Sequence, residues 1–186
     1  MSRIYENKKY IKIVEDIMFN SAFVKLKNDD HHGTIKYDHC RRVSYLSYLI
    51  ARLFRCDYVA SARAGLLHDF FYGGRLEKQE NSYLNHPITS ARNARKYFGV
   101  SKKEESIIRT HMFHQILIKK ILPFINRKEH AKVFESKPTC AEGWIVCIAD
   151  LLISVYEVAA YKLRNTIKYA YNVSMLFLFN YMFQLQ

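Results

Sequence analysis

Apolar positions recur at helical spacing along most of the chain. The segment Arg3–Phe19 reads as an amphipathic helix. From Tyr37 to Phe54 the apolar positions Val43, Leu46, Leu49/Ile50 and Leu53 mark one face of a second. Asp57 suits the cap of a third, which runs through VASARAGLLHDFF. Pro87 fits the first position of a helix that ends before Gly99. Ser101, with Glu104 three residues on, is a capping box for KKEESIIRTHM. Trp144–Lys168 is the most apolar helix, and Tyr169–Gln186 reads as a terminal helix that lays MLFLF on the body. Polar intervals fall at Asn28–Lys36, Tyr72–Asn85 and Arg127–Gly143. No run alternates apolar and polar residues. The pattern therefore predicts an all-α fold: one domain over residues 1–186, a bundle of about seven helices, and no sheet.

Composition narrows this further. The chain has 186 residues, with only 6 Gly and 3 Pro, well under the usual combined share of about 12%. Few breakers mean long elements, which excludes collagen-like, low-complexity and many-turned all-β chains. A hydrophobic share of 49% against 25% charged excludes bulk disorder. The net charge of +12 attracts anions, whether nucleic acid, membrane phosphates or phosphorylated small molecules. The cations are spread along the chain and no nucleic-acid-binding signature accompanies them, so no specific nucleic acid is expected. Cys40, Cys56, Cys140 and Cys147 show no CxxC spacing and read as reduced core thiols. The charged start MSRIYENKKYIKIVEDIMF has no leader-like apolar region, and cytoplasmic residence is the expectation. The longest uncharged stretch, Tyr169–Gln186, carries Asn172, Asn180 and Gln184 and falls short of the about 20 apolar residues a span needs. No membrane span is predicted, and oligomer contact through this C-terminal helix stays open.

Several polar residues interrupt the apolar runs. Asp150 sits inside WIVCIADLLISVY. A carboxylate buried alone costs several kcal/mol, so it needs a cationic partner: an arginine, a lysine or a metal ion. His68-Asp69 closes the similar run ARAGLLHDFF. Adjacent residues on a helix point about 100° apart, so this spacing does not by itself identify a metal site. Number adds weight: of 8 histidines, His39, His68, His86, His111 and His114 fall in or at the ends of predicted helices. His31-His32 lies beside Asp29-Asp30 in a polar loop and reads as solvated.

The order of these residues resembles the HD-domain metal-dependent phosphohydrolase superfamily, whose signature is a His, a His-Asp dyad and a distal Asp on helices. YDHCRRV is similar to its HxxRV opening, ARAGLLHDF to the dyad helix, NHPITSARNA to the HP helix, and CIADLL to the closing Asp. The likeness makes residues 37–157 the metal-binding core, and the added His86 and His111 resemble the subset holding two metals. It implies that Asp69 bridges two ions, that His39, His68 and Asp150 hold one, and that His86 and His111 complete the other. Imidazole and carboxylate donors suit Fe, Mn, Co, Ni or Zn. The implied activity is hydrolysis of a phosphate ester or anhydride, of a nucleotide or dinucleotide polyphosphate. Phe70-Phe71-Tyr72-Gly73 follows the dyad, without the lysine and GYP word of the cyclic-dinucleotide enzymes, which counts against that substrate.

Three further residues are candidates for the chemistry. Arg42, three residues after His39, is placed to bind substrate phosphate and assist catalysis, or equally to pair with a carboxylate. Arg75 is a second phosphate contact or a solvated loop charge. His114, one turn from His111, is a proton donor to the leaving group or a surface residue. Two other functions remain: an HD scaffold that binds metal and nucleotide with little turnover, and a helical nucleic-acid binder.

Overall fold

The computed structural model describes residues 6–31, 34–72, 85–113 and 137–184. Seven α-helices lie among them: α1 (Lys8–Met18), α2 (Ser21–Val24), α3 (Lys36–Leu53), α4 (Tyr58–Leu67), α5 (His86–Phe98), α6 (Lys102–Thr110) and α7 (Ala141–Gln184). A 3-10 turn, Lys25–Asn28, follows α2. Two two-residue strands, β1 (Asp30–His31) and β2 (Thr34–Ile35), pair antiparallel with Asp30 opposite Ile35. This ribbon and the four-residue α2 are the elements the apolar periodicity did not predict, because neither is long enough to show a period. The protein is an all-α single domain.

Local chemistry fixes the helix ends. The Asp57 carboxylate accepts from the Ala60 N–H at 3.0 Å. Ser101 and Glu104 form the predicted capping box, and Gly99 ends α5 in the left-handed region at φ 57°. Asn7 and Asn20 cap α1 and α2 in the same way.

Helix α4 is the centre of the bundle. It packs against α1, α3, α6 and α7, and small residues Ala60, Ala62, Ala64 and Gly65 let its neighbours close in. A hydrogen-bond chain ties three helices together: the Tyr10 hydroxyl donates to Ser44 Oγ at 2.9 Å, which donates to the Ala62 carbonyl at 2.7 Å. A methyl group at Gly65 would meet the Ser44 Cα at 3.1 Å and the Ser47 Oγ at 3.2 Å. Gly65→Ala is therefore expected to destabilise the protein by about 1–3 kcal/mol through overpacking, read as a lowered midpoint in urea unfolding.

Glu142, in the first turn of α7, accepts from the Asp57 N–H at 2.9 Å and pairs with Lys103 at 3.1 Å. Burial pushes its carboxyl up, but the Asp57 N–H and Lys103 outweigh this and hold it down at about 2. Its contribution to stability is complete above the ordinary Glu value near 4.5 and is lost as pH falls from there toward 2. Glu142→Gln is expected to cost about 1 kcal/mol at pH 7, since Lys103 faces solvent, and to flatten the stability profile between pH 4.5 and 2 in thermal melts.

The C-terminal helix differs from the expectation. No Gly or Pro occurs after Trp144, and α7 runs unbroken for 44 residues, about 66 Å. Its first half lies in the core through Val146, Ala149 and Asp150. Beyond Glu157 it leaves the body, and Met175 and Leu176 are 48% and 64% exposed instead of lying on the bundle. By length and composition α7 is the one helix among the described residues that is long and apolar enough to cross a membrane. All four cysteines are free, and only Cys40 and Cys147 are buried.

Candidate metal centre

Five helices deliver the ligand candidates to one buried point. His39 comes from the first third of α3. His68 and His111 each stand just past the last residue of a helix, α4 and α6. His86 opens α5 beside Pro87, and Asp150 comes from the buried half of α7. Asp69 follows His68 where the chain turns away from α4. The dyad lies at the helix end, and although His68 keeps helical φ/ψ its Nε2 stands 3.6 Å from Asp69 Oδ2.

The histidine rings are oriented by their outer nitrogens. His68 Nδ1 donates to the Gly65 carbonyl at 2.8 Å, and His111 Nδ1 to the Ile108 carbonyl at 2.7 Å. Each ring so satisfies a carbonyl in the last turn of its own helix. His39 Nδ1 donates to the Glu157 carboxylate at 2.8 Å. A carbonyl or carboxylate only accepts, so Nδ1 carries the proton, and in the neutral ring Nε2 presents a lone pair. All these Nε2 atoms face inward.

There the distances are short. His39 Nε2 lies 3.2 Å from Asp150 Oδ1, and His68 Nε2 lies 3.7 Å from the same oxygen. Asp69 is shared between sets. Its Oδ2 lies 3.6 Å from His68 Nε2, while its Oδ1 lies 3.1 Å from His86 Nε2 and 3.6 Å from His111 Nε2. His86 Nε2 and His111 Nε2 are 3.2 Å apart. Two groups of donors fall within 4.8 Å of one another: His39, His68 and Asp150; and His68, Asp69 and His111.

These separations fit a metal ion. Ligands about 2.1 Å from one centre stand about 3.0–3.4 Å apart in octahedral or tetrahedral arrangement. The buried His68 Nε2 has no hydrogen-bond partner among the described residues, which a divalent cation would supply. Nitrogen and oxygen donors without cysteine suit first-row divalent ions.

The electrostatics favour positive charge at this point. Burial would raise the Asp69 and Asp150 carboxyls, but the surrounding imidazoles hold both well below the usual range. Burial disfavours the charged form of His39, yet its bonds to Asp150 and Glu157 outweigh that and push it up to about 10, so a metal ion would take the place of the proton on Nε2. Glu157 is pulled down, against its burial, by His39 and Arg42. Three ionised carboxylates inside an apolar bundle demand compensating cations.

All six residues expected as metal ligands, His39, His68, Asp69, His86, His111 and Asp150, converge here. Arg42 is placed elsewhere. It donates to the Glu157 carboxylate and, at 3.1 Å, to Thr34 Oγ1. The ion-pair alternative for this arginine is the one the geometry fits, and it acts on the cluster through Glu157. Arg75 and His114 lie outside the described residues.

Two supporting residues were not singled out from the sequence. Glu157 stands seven residues after Asp150, two turns along the same face of α7, so an acid pair at that spacing in an apolar run was the available signal. Lys36 is buried, donates to Asp29 at 3.1 Å and to the Phe71 carbonyl at 3.0 Å, and lies 3.6 Å over the Phe71 ring. Phe71 in turn packs on His86 with ring centres 5.1 Å apart. Lys36 thereby fixes the chain just after the dyad, a long-range contact with no local signature.

Residues 37–154 match the HD domain family. That is more than half of the chain, and the protein belongs to the HD superfamily of metal-dependent phosphohydrolases. No curated protein and no solved structure matches it.

Proposed function

We propose that the protein is a metal-dependent phosphohydrolase cleaving a phosphate ester or anhydride bond of a nucleotide or dinucleotide polyphosphate. One observation carries this reading. Three histidines are held by Nδ1, at Gly65, Ile108 and Glu157, so that their Nε2 atoms converge on Asp69 and Asp150.

Divalent ions held by the six ligands would lower the pKa of a water and neutralise charge on the phosphoryl oxygens. The chain's own residues do the rest. Asp69 offers its two oxygens to different histidine sets, so it fixes the spacing between the two halves of the site. Glu157 keeps the His39 proton on Nδ1, and Arg42 keeps Glu157 ionised and in place. His39, His68 and His111 are fully buried, which keeps bulk water away from the ligand shell. Arg42 and Arg164 line a recess of about 230 Å³ beside Glu157. Arg42 is paired with Glu157, which also lines the recess, so Arg164 is the cation offered to a remote phosphate of the substrate. His114 as proton donor to the leaving group and Arg75 as a phosphate contact complete the proposal.

The test is a panel assay of protein loaded with Mn, Fe, Co, Ni or Zn. The panel comprises p-nitrophenyl phosphate, nucleoside mono-, di- and triphosphates, and dinucleoside polyphosphates. Metal-dependent release of phosphate or nucleotide from at least one member is expected. Tight metal and nucleotide binding with no release from any would replace this reading with that of a binding module.

A further inference from the structure

A second recess, of about 580 Å³, opens away from the metal centre between α1, α3 and the start of α4. Its volume lies within the roughly 300–1,000 Å³ typical of small-molecule sites. Lys9 and Lys12 line it from one face of α1 and Arg52 from α3, while Tyr48 and Tyr58 supply aromatic wall. No carboxylate is in the lining. Among the described residues Lys9, Lys12 and Arg52 form no ion pair, whereas Arg63 and Lys103 each join two acids. Three cations gathered in one concavity without counter-charge repel one another, and an anion relieves that repulsion.

The aromatic wall adds a second requirement. Tyr48 is buried, and Arg52 donates to its hydroxyl at 3.2 Å. The guanidinium lies 5.5 Å over the Tyr48 ring, which steadies it facing the recess. The Tyr58 and Tyr48 rings stand nearly perpendicular with centres 5.8 Å apart, and Tyr58 is 43% exposed. Three cations and an exposed tyrosine in one recess match a molecule with phosphates at one end and a base at the other.

This place is remote from the metal centre. Arg52 stands thirteen residues after His39 on α3, about 20 Å at roughly 1.5 Å per residue. None of the six ligand candidates lines the recess. We propose that the recess is a second, separate binding site for a nucleoside di- or triphosphate, with Lys9, Lys12 and Arg52 on the phosphates and Tyr58 under the base. The inference does not rest on turnover at the metal centre.

Calorimetric titration of the metal-loaded full chain with the non-hydrolysable α,β-methylene-ADP tests it. Two binding events are expected if the metal centre also takes the nucleotide, and one if it does not. In either case Arg52→Ala, or Lys9→Ala with Lys12→Ala, weakens one event at least tenfold and leaves metal content unchanged. All three residues are helical surface positions, and the Lys96→Ala control removes the same charge from α5 without effect. Pyrophosphate and adenosine alone bind at least tenfold more weakly than the analogue. Unchanged binding in the variants overturns the proposal. So does equal loss in the Lys96→Ala control, or pyrophosphate binding as tightly as the nucleotide. Tighter binding of a single-stranded oligonucleotide at physiological salt, lost in the same variants, would also overturn it and make the recess a nucleic-acid contact.

Discussion

Asp69→Ala is expected to remove bound metal and to lower turnover by about 10³-fold or more. The reason is its position between the two donor sets: one oxygen faces His68, the other faces His86 and His111. Removing it leaves four imidazoles around a void with only Asp150 as anionic ligand, and both halves lose a donor at once. Elemental analysis after gel filtration reads the first effect and the phosphoester assay the second. Asp69→Asn preserves shape and removes charge; it should match the alanine variant in metal loss, because an amide is a poor substitute for a bridging carboxylate. Full metal occupancy in both variants would show that Asp69 is not a ligand.

Glu157→Gln is expected to weaken metal binding about 10–100-fold, the usual cost of losing the partner behind a ligating histidine. Glu157 receives the His39 Nδ1 proton on one oxygen and the Arg42 guanidinium on the other. An amide can accept from His39 with its oxygen, but its NH2 group then points a donor at Arg42. The pair is broken on one side whichever way the amide turns. Competition against a calibrated chelator measures the change, and Arg42→Ala should move it in the same direction by less. A variant that binds metal like the parent would reduce Glu157 to a packing residue.

Much of this was legible in the sequence, for identifiable reasons. The Asp57 cap, the Ser101–Glu104 box and the Gly99 terminus depend on residues within three or four positions of one another, and each forms as expected. The six ligand positions followed from the order of residues resembling the HD signature, not from spacing. Helical spacing alone did not identify the dyad, since adjacent residues on a helix point about 100° apart. The helix ends at Leu67, with His68 as its C-cap. Glu157, Lys36 and the pairing of Arg42 rest on contacts across many residues, which no local pattern encodes. In the sequence α7 reads as two helices, Trp144–Lys168 and Tyr169–Gln186, although no Gly or Pro follows Trp144 to break it. Its departure from the bundle was not readable, because its second half remains apolar while the core side chains cease at Glu157.

The central claim is that these imidazoles and carboxylates enclose divalent metal. Anomalous X-ray scattering from crystals of the metal-loaded protein, collected at the absorption edge of the bound element, tests it most directly. The account predicts a peak about 2.0–2.2 Å from His68 Nε2 and from a carboxylate oxygen of Asp69 or Asp150. Crystals grown with saturating Mn, Fe or Zn that show no peak between these residues would contradict it.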